Sequence, residues 1–122
     1  MSLKITEFAK PSTVELAGRL DSSTAPQLDA VLDRLLKRAG VARLIFDLAQ
    51  LEYLSSAGIR CFIRARKAME PGGGTVAVVN PQPAVRKVLD IVKAIPAAGI
   101  FENVAELDEY LDEMQRQVRE GD

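Results

Sequence analysis

The chain has 122 residues, of which 48% are hydrophobic and 27% charged, a balance typical of one globular domain. The formal net charge is −1, so the basic excess that nucleic-acid binding usually requires is absent. There is no histidine and one cysteine, which excludes histidine-dependent triads and internal disulfides and makes a zinc site unusual. Because no apolar run approaches the roughly 20 residues of a membrane helix and no signal peptide is visible, we expect a cytoplasmic location without membrane insertion.

The first 20 residues are predicted to form a β-hairpin. Leu3 and Ile5 alternate with polar residues, and so do Val14 and Leu16, which is the period of a strand with one buried face. Residues 10–12, Lys-Pro-Ser, lie between the two halves and supply the turn.

A helix is predicted to follow the hairpin. Thr24 is its expected N-cap, Pro26 lies in its first turn, and Gln27 completes the spacing of a capping box. Its apolar face recurs every three or four residues and comprises Leu28, Val31, Leu32, Leu35 and Leu36. Gly40 is expected to end this helix.

Residues 43–48 form a nearly continuous apolar run, which is typical of a strand covered on both faces. After a short link, residues 55–58 (Ser-Ser-Ala-Gly) are predicted to open a second helix that extends to about Met69. Residues 71–74 (Pro-Gly-Gly-Gly) break the pattern. No Lys-Ser or Lys-Thr follows these glycines, so we interpret them as a flexible turn and not as a phosphate-binding loop.

Residues 75–79 are predicted to form a further strand, and Pro83 to open a third helix with an apolar face. Ile100 and Phe101 are candidates for a short edge strand. Asn103 is expected to cap a last helix, whose apolar residues again recur every three or four positions.

The resulting order is ββαβαβα(β)α. Alternation of strands and helices predicts an α/β fold with a mixed central sheet of four or five strands and about four helices. We expect a single domain over residues 1–118, followed by a frayed tail at residues 119–122.

The main candidate site is the turn at residues 55–58, because α/β folds often place ligands and partners where strands end. Two interpretations of its serines are open. A hydroxyl there can cap the helix, which is worth about 1 kcal/mol. Alternatively, Ser56 or Ser55 is phosphorylated, since free N–H groups and the helix dipole tolerate an anion at a helix N-terminus.

Two further groups flank this turn. Residues 21–24 (Asp-Ser-Ser-Thr) are expected to cap the first helix, and Asp21 can line the same surface if both turns share one sheet edge. One face of the second helix is basic and forms either an ordinary solvated face or a docking stripe for an acidic partner. Its residues are Arg60, Arg64 and Lys67.

The remaining reactive side chains are assigned structural roles. Cys61 is expected to be a small buried hydrophobe. The acidic residues of the last helix are interpreted as its solvent face, without the burial that would tune them for catalysis. They are Glu106, Asp108, Glu109, Asp112 and Glu113.

Three stretches of the chain share an order and spacing with a known family. They read Gly-Arg-Leu-Asp at residues 18–21 followed by Thr24 and Ala25, Leu-Ile-Phe-Asp-Leu at residues 44–48, and Tyr-Leu-Ser-Ser-Ala-Gly-Ile-Arg at residues 53–60. With them the chain resembles the STAS family, the sulfate-transporter and anti-sigma-factor-antagonist domains. The resemblance extends from about Leu3 to Leu111 and implies the same fold.

The resemblance also implies a function. In stand-alone bacterial members the signature loop typically reads Asp-Ser-Ser-Gly or Asp-Ser-Thr-Gly, and its first serine is phosphorylated by a partner that is both anti-sigma factor and serine kinase. Unphosphorylated, the antagonist binds that partner and frees the sigma factor. By this resemblance Ser56 matches the phosphorylated serine, Gly58 the glycine, and Ser55 the aspartate. Ser55 is then a competing acceptor, and Ala57 replaces the second hydroxyl.

An alternative is a STAS subunit of a membrane transport complex, such as a lipid ABC transporter, that docks without phosphorylation. An enzyme or nucleotide-binding domain is disfavoured because histidine, a P-loop and a convergent set of buried charges are lacking, so we expect no catalysis, cofactor or metal. We expect instead a flat docking surface for a protein partner. Its predicted residues are Asp21, Ser22, Ser23, Thr24, Ser55, Ser56, Ala57, Gly58, Arg60 and Arg64.

Overall fold

The computed structural model describes residues 3–9, 12–38, 42–93 and 104–121. The strands within these ranges are β1 (Leu3–Ala9), β2 (Ser12–Leu20), β3 (Arg43–Leu54) and β4 (Thr75–Val79). The helices are α1 (Ala25–Leu36), α2 (Ser56–Met69), α3 (Pro83–Lys93) and α4 (Val104–Gly121), with a short 3-10 helix at Glu70–Gly72. None of the helices in these ranges is long and apolar enough to cross a membrane.

The four described strands form one mixed sheet in the order β1-β2-β3-β4. Strand β1 pairs antiparallel with β2, with Leu3 opposite Gly18, which confirms the predicted hairpin. Strands β2, β3 and β4 are parallel, and Leu20 at the end of β2 lies opposite Leu54 at the end of β3. The α/β fold with a mixed sheet is therefore confirmed.

Strand β3 is longer than predicted. It does not end near residue 48 but continues to Leu54, because the apolar side chains at Leu51 and Leu54 remain fully buried while the polar residues Gln50 and Glu52 beside Leu51 are exposed. Among the described residues, β4 pairs with the first part of β3, residues 43–47, and with no later residue of that strand. The second part of β3 therefore needs other partners for its backbone on that side.

The core is one cluster of buried side chains from the sheet and all four helices. In the first part of β3 every second residue is buried, at Leu44, Phe46 and Leu48, which gives this part of the sheet one apolar face. The ring of Phe46 lies 4.6 Å from the ring of Phe62 in α2. Burying a side chain of this size stabilises the fold by about 1.5–3 kcal/mol, so this contact fixes α2 above the sheet.

Helix α1 begins as predicted, but the expected capping box does not form. The backbone of Thr24 has φ −105° and ψ −20°, which is close to helical and not the extended conformation of a capping residue. Its hydroxyl instead accepts a hydrogen bond from the N–H of Asp21 at 2.9 Å and donates to the carbonyl of Arg19 at 2.8 Å. The side chain therefore stabilises the β2–α1 turn. The helix ends at Leu36, and Gly40 lies outside the described residues.

The remaining elements largely follow the prediction. Gly73 has φ +76°, in the left-handed region that favours glycine, so the break after α2 is a defined turn. Helix α4 continues to Gly121, so three residues of the expected tail are helical, and the boundary at residue 118 stays a prediction. The predicted edge strand at Ile100 and Phe101, and the cap at Asn103, lie outside the described residues.

Candidate functional site

The signature loop, residues 55–58, lies where β3 passes directly into α2. The N–H of Ser55 donates to the carbonyl of Leu20 at 2.9 Å, which extends the β2–β3 pairing by one residue. The carbonyl of Ser55 then accepts from the N–H of Ile59 at 3.1 Å, the first helical bond. Because β2 and β3 are parallel, the turn at residues 21–24 and the signature loop lie at the same edge of the sheet, as expected.

All four residues of the signature loop are buried. Ser55 is 4% exposed and Ser56 is 0% exposed, so neither hydroxyl reaches the surface. A Cβ atom on Gly58 would lie 2.6 Å from side-chain atoms of Leu20 and Leu54, so the close approach of β2, β3 and α2 requires glycine there. The expectation that the loop forms part of a flat exposed surface is therefore wrong for these residues. Helix α4 packs beside them.

The two serines do not act as side-chain caps. Ser55 occupies the N-cap position of α2, but its hydroxyl oxygen is buried and has no hydrogen-bond partner. The hydroxyl oxygen of Ser56 accepts one long hydrogen bond, from Arg60 Nη1 at 3.5 Å. The capping interpretation of these hydroxyls is therefore wrong.

A carboxylate from α4 takes the capping role at α2. Asp108 Oδ1 accepts a hydrogen bond from the N–H of Ser56 at 2.9 Å, which satisfies a first-turn donor of α2. The sequence placed Asp108 on the solvent face of the last helix, and this is wrong because the residue is half-buried against α2. A negative charge at this position also interacts favourably with the helix dipole.

A glutamine from α4 completes the junction. Gln115 is 1% exposed; its Oε1 accepts from the N–H of Leu54 at 2.9 Å, and its Nε2 donates to the carbonyl of Leu54 at 2.8 Å. Nε2 also donates to the carbonyl of Leu111 at 3.1 Å. A carboxamide carries the same donor and acceptor as a peptide group, so Gln115 replaces a neighbouring strand beside the second part of β3. The sequence analysis did not single it out, although it lies next to Met114 on the buried side of α4.

Further contacts connect α4 to the end of β3. Arg119 donates to the carbonyl of Glu52 at 3.4 Å and forms an ion pair with its carboxylate at 3.5 Å. Burial raises the pKa of Tyr53 to about 12, and the charge and hydrogen bond of Asp112 act in the same direction. The guanidinium of Arg19 lies 3.9 Å from the centre of the Tyr53 ring. Helix α4 thus contacts successive residues of the β3–α2 junction.

The turn after β2 is more exposed. Ser22 and Ser23 are exposed, whereas Thr24 is buried. Asp21 Oδ1 accepts hydrogen bonds from the hydroxyl of Ser23 at 2.7 Å and from its N–H at 3.0 Å. The Ser23 hydroxyl bond is the largest cause that lowers the pKa of Asp21 below its ordinary value.

Two of the three residues of the basic stripe on α2, Arg60 and Arg64, have described partners. Arg64 pairs with Asp29 at 2.9 Å and with Asp33 at 3.3 Å, both on α1. Arg60 is half-buried and is directed to Ser56, as described above. Arg64 of the stripe therefore forms ion pairs between α1 and α2. The use of the stripe for docking stays a prediction.

A shallow groove of about 450 Å³ lies between α1 and α2, and it brings part of the predicted site together. Its lining includes Ser22, Pro26, Ala57, Arg60 and Arg64. Of the ten described residues that line the groove, four were predicted as docking residues from the sequence, namely Ser22, Ala57, Arg60 and Arg64.

Cys61 also borders this groove but is a buried side chain, as predicted. Burial raises the pKa of its thiol to about 12, and Asp29 adds to the shift through a hydrogen bond at 3.2 Å. A thiol in this state is a poor nucleophile. Among the described residues, no group of three or more histidine, cysteine, aspartate or glutamate side chains could hold a metal ion.

These features define a small α/β domain in which the described elements follow the order ββαβαβαα and a serine-led helix begins at the edge of a mixed sheet. The chain matches the STAS domain over residues 3–107, most of its length, and it belongs to that family.

Similar proteins agree with this assignment. An anti-sigma F factor antagonist of Paenibacillus polymyxa is 26% identical over 90 residues, which are 74% of this chain and 77% of the relative. The BtrV protein of Bordetella bronchiseptica, assigned as an anti-sigma factor antagonist, is 34% identical over 76 residues, which are 62% of this chain and 65% of that protein.

Solved structures of SpoIIAA share the fold. The unphosphorylated form of this anti-sigma factor antagonist gives a TM-score of 0.59 at 20% identity, over 76% of this chain and 99% of that chain. The phosphorylated form of SpoIIAA from Bacillus gives 0.58 at 23% identity, over 74% and 82%.

Proposed function

We propose that this protein is an anti-sigma factor antagonist that works by partner switching. Unphosphorylated, it binds an anti-sigma factor that is also a serine kinase, and this frees a sigma factor. Phosphorylation of Ser56 ends the binding. The observation that carries the proposal is the position of Ser56, the first residue of α2 at the edge of a STAS sheet. The names of the relatives and the phosphorylated form of SpoIIAA support it.

The start of α2 is chemically suited to a phosphate. Its first turn carries no acidic residue of its own, and its N–H groups and dipole favour an anion. Arg60 Nη1 already lies 3.5 Å from the Ser56 hydroxyl and can form a charge-assisted hydrogen bond to a phosphate oxygen. A phosphoserine adds about −1.5 to −2 charges, which would make the start of α2 more negative.

We propose the groove between α1 and α2 as the docking surface. It combines the exposed Ser22 of the β2–α1 turn with Arg60 and Arg64, directly beside Ser56. A charge change at Ser56 would therefore be felt by a partner in the groove, because electrostatic complementarity acts over short distances at an interface. In this proposal the protein acts in the cytoplasm by binding alone, and the kinase supplies the chemistry.

The test uses four purified baits: the unsubstituted chain, Ser56→Ala, Ser56→Asp and Ser55→Asp. We expect the chain and Ser56→Ala to capture a serine kinase from a lysate of the source organism, and Ser56→Asp to lose at least tenfold in affinity. The captured kinase should phosphorylate Ser56 in the purified chain, with the site located by fragment mass spectrometry. Modification of Ser55 alone would move the switch to that residue, and equal binding by all four baits would contradict the proposal.

One observation favours a second candidate, a STAS subunit of a membrane transport complex. Ser56 is fully buried and Ser55 stands where the family often has an aspartate, so a constitutive docking role would need neither hydroxyl. Capture of transporter subunits by all four baits would support this function instead.

A further inference from the structure

We propose that α4 is an autoinhibitory lid on the signature loop. In the docked position Asp108 of α4 binds the N–H of Ser56, whose side chain is buried. In this proposal the loop becomes accessible to a kinase or partner only when α4 leaves the β3–α2 junction. What the lid controls rests on the proposed function. The lid itself is a property of the fold and can be measured without any partner.

The contacts of α4 follow one another along the β3–α2 junction. Asp108 binds the N–H of Ser56, Gln115 binds both backbone groups of Leu54, and Arg119 binds Glu52. Asp108 and Arg119 are separated by about 16 Å along the helix axis. These contacts therefore extend from the last residues of β3 to Ser56, the first residue of α2 and part of the signature loop.

Docked α4 and phosphorylated Ser56 exclude each other. The Ser56 side chain is 0% exposed in the docked state, so its hydroxyl is not accessible to a phosphate donor in that state. Asp108 Oδ1, 2.9 Å from the Ser56 nitrogen, already occupies the position that an anion takes at a helix N-terminus. A phosphate there would meet a like charge at short range. By reciprocity, phosphorylation must weaken the docking of α4 as much as docking opposes phosphorylation.

In the docked state one buried hydroxyl lacks a hydrogen-bond partner, and opening would supply one. The hydroxyl oxygen of Ser55 is buried without a hydrogen-bond partner, although such groups are normally paired. Water would reach this oxygen once α4 leaves, so opening recovers a hydrogen bond that the closed form lacks. Most outward residues of α4 are charged, and in its described part the buried apolar contacts come from three side chains. These are Leu107, Leu111 and Met114.

Thiol labelling of Ser56→Cys tests the lid with iodoacetamide as the probe. Cys61 serves as an internal reference for global unfolding, because its thiol is buried under α1 and reacts when the domain unfolds. Trypsin cleaves after Arg60, so the two thiols fall in separate peptides and are read in one sample. We expect the introduced thiol to react at least tenfold more slowly than a free thiol and at least tenfold faster than Cys61. Its rate should also depend less on urea, since local opening exposes little surface.

The role of α4 is tested by Gln115→Ala, with Gln117→Ala as the matched control. Gln117 is exposed and bonds only to Glu113 on its own helix among its described contacts. In Gln115→Ala the introduced thiol should react at least tenfold faster than in Gln117→Ala. Equal rates in the two variants would overturn the proposal. So would equal rates and equal urea dependence of the two thiols, because α4 would then leave only when the whole domain unfolds.

A second measurement covers the case in which Ser56→Cys does not fold. Amide hydrogen exchange of Leu54 and Ser56 in the unsubstituted chain should be faster with Gln115→Ala than with Gln117→Ala, and equal exchange would overturn the lid. The proposed function fails separately. If labelling behaves as expected but the kinase neither binds nor modifies the chain, the lid stands and the switch does not. If the kinase modifies Ser56 equally fast in both glutamine variants, the switch stands and the lid has no control over it.

Discussion

The two turns at the candidate edge of the sheet are stabilised in different ways. The turn after β2 satisfies itself, because Asp21, Ser23 and Thr24 bond to one another and to Arg19 within six residues of sequence. The signature loop after β3 depends on Asp108 and on Gln115, which follow it by more than 50 residues. A turn whose hydrogen-bond partners are close in sequence forms whenever its strand forms. A turn whose hydrogen-bond partners lie on a distant helix can be opened by moving that helix.

The largest effect is expected at the position where both turns approach each other. Gly58→Ala would place a Cβ atom 2.6 Å from Leu20 and Leu54, at the ends of the two strands. Overpacking of this kind costs about 3 kcal/mol because the neighbours are fixed by the sheet. Urea unfolding should show this loss, and Gly72→Ala, whose Cβ would have open space, is the control.

Removing the side chain of Gln115, which bonds to the end of β3 from α4, should have the next largest effect on stability. Gln115→Ala leaves the N–H and carbonyl of Leu54 without their partner, and we expect the free energy of unfolding to fall by about 2 kcal/mol. Chemical denaturation measures the loss. A change within experimental error would show that water replaces the glutamine and that the junction does not depend on α4.

Removing the hydroxyl of Thr24, which bonds within the β2–α1 turn, should have a smaller effect on stability. Thr24→Val keeps the shape of the side chain but loses the bonds to Asp21 and Arg19, and we expect a loss of about 1 kcal/mol. Hydrogen exchange at Leu54 should be unchanged, because α4 does not contact this turn in any described hydrogen bond. An increase there would mean that the two turns are coupled.

At Ser55 the expected change has the opposite sign. Ser55→Ala removes a buried hydroxyl that has no partner, so the free energy of unfolding should rise by about 0.5 kcal/mol. Thermal unfolding of this variant beside the unsubstituted chain gives the answer. A clear loss of stability would show that the hydroxyl is hydrogen-bonded in solution.

The smallest effect concerns pH. The pKa of Asp21 is lowered in the folded state, so its contribution to stability is fully present above the ordinary value of about 3.9 and is lost as pH falls through the lower folded value. Ser23→Ala removes the largest cause of the shift. This variant should therefore lose less stability than the unsubstituted chain between pH 5 and acid, as measured by unfolding at each pH.

The contrast between the two turns also explains what the sequence could predict. The hairpin, the start of α2 at Ser56 and the apolar face of α4 follow from local periodicity, and each is found. The length of β3 was missed because the polar residues Gln50 and Glu52 interrupt the apolar run, although Leu51 and Leu54 are buried. Local patterns contain no information about which distant side chain completes a backbone group.

The same limit applies to the site. The sequence predicted a docking surface that includes residues 21–24 and 55–58, on the condition that both turns share one sheet edge, and the parallel pairing of β2 and β3 meets that condition. Four of the ten described residues that line the groove were predicted. The sequence assigned Asp108 to solvent, because an acidic residue among other acidic residues is usually exposed. It also overlooked Gln115, whose role is visible only once Leu54 is known to lack a strand partner on that side.

The separation between Leu54 and Gln115 has a consequence for synthesis on the ribosome. The two residues are 61 positions apart, so β3 and the start of α2 emerge well before the side chain that covers them. At typical elongation rates this interval lasts roughly 3–12 seconds, longer than most small domains need to form helices and hairpins. Each newly made molecule therefore passes through a period in which the serine loop has been made but lacks its hydrogen bonds to α4, and translation of the last helix ends this period.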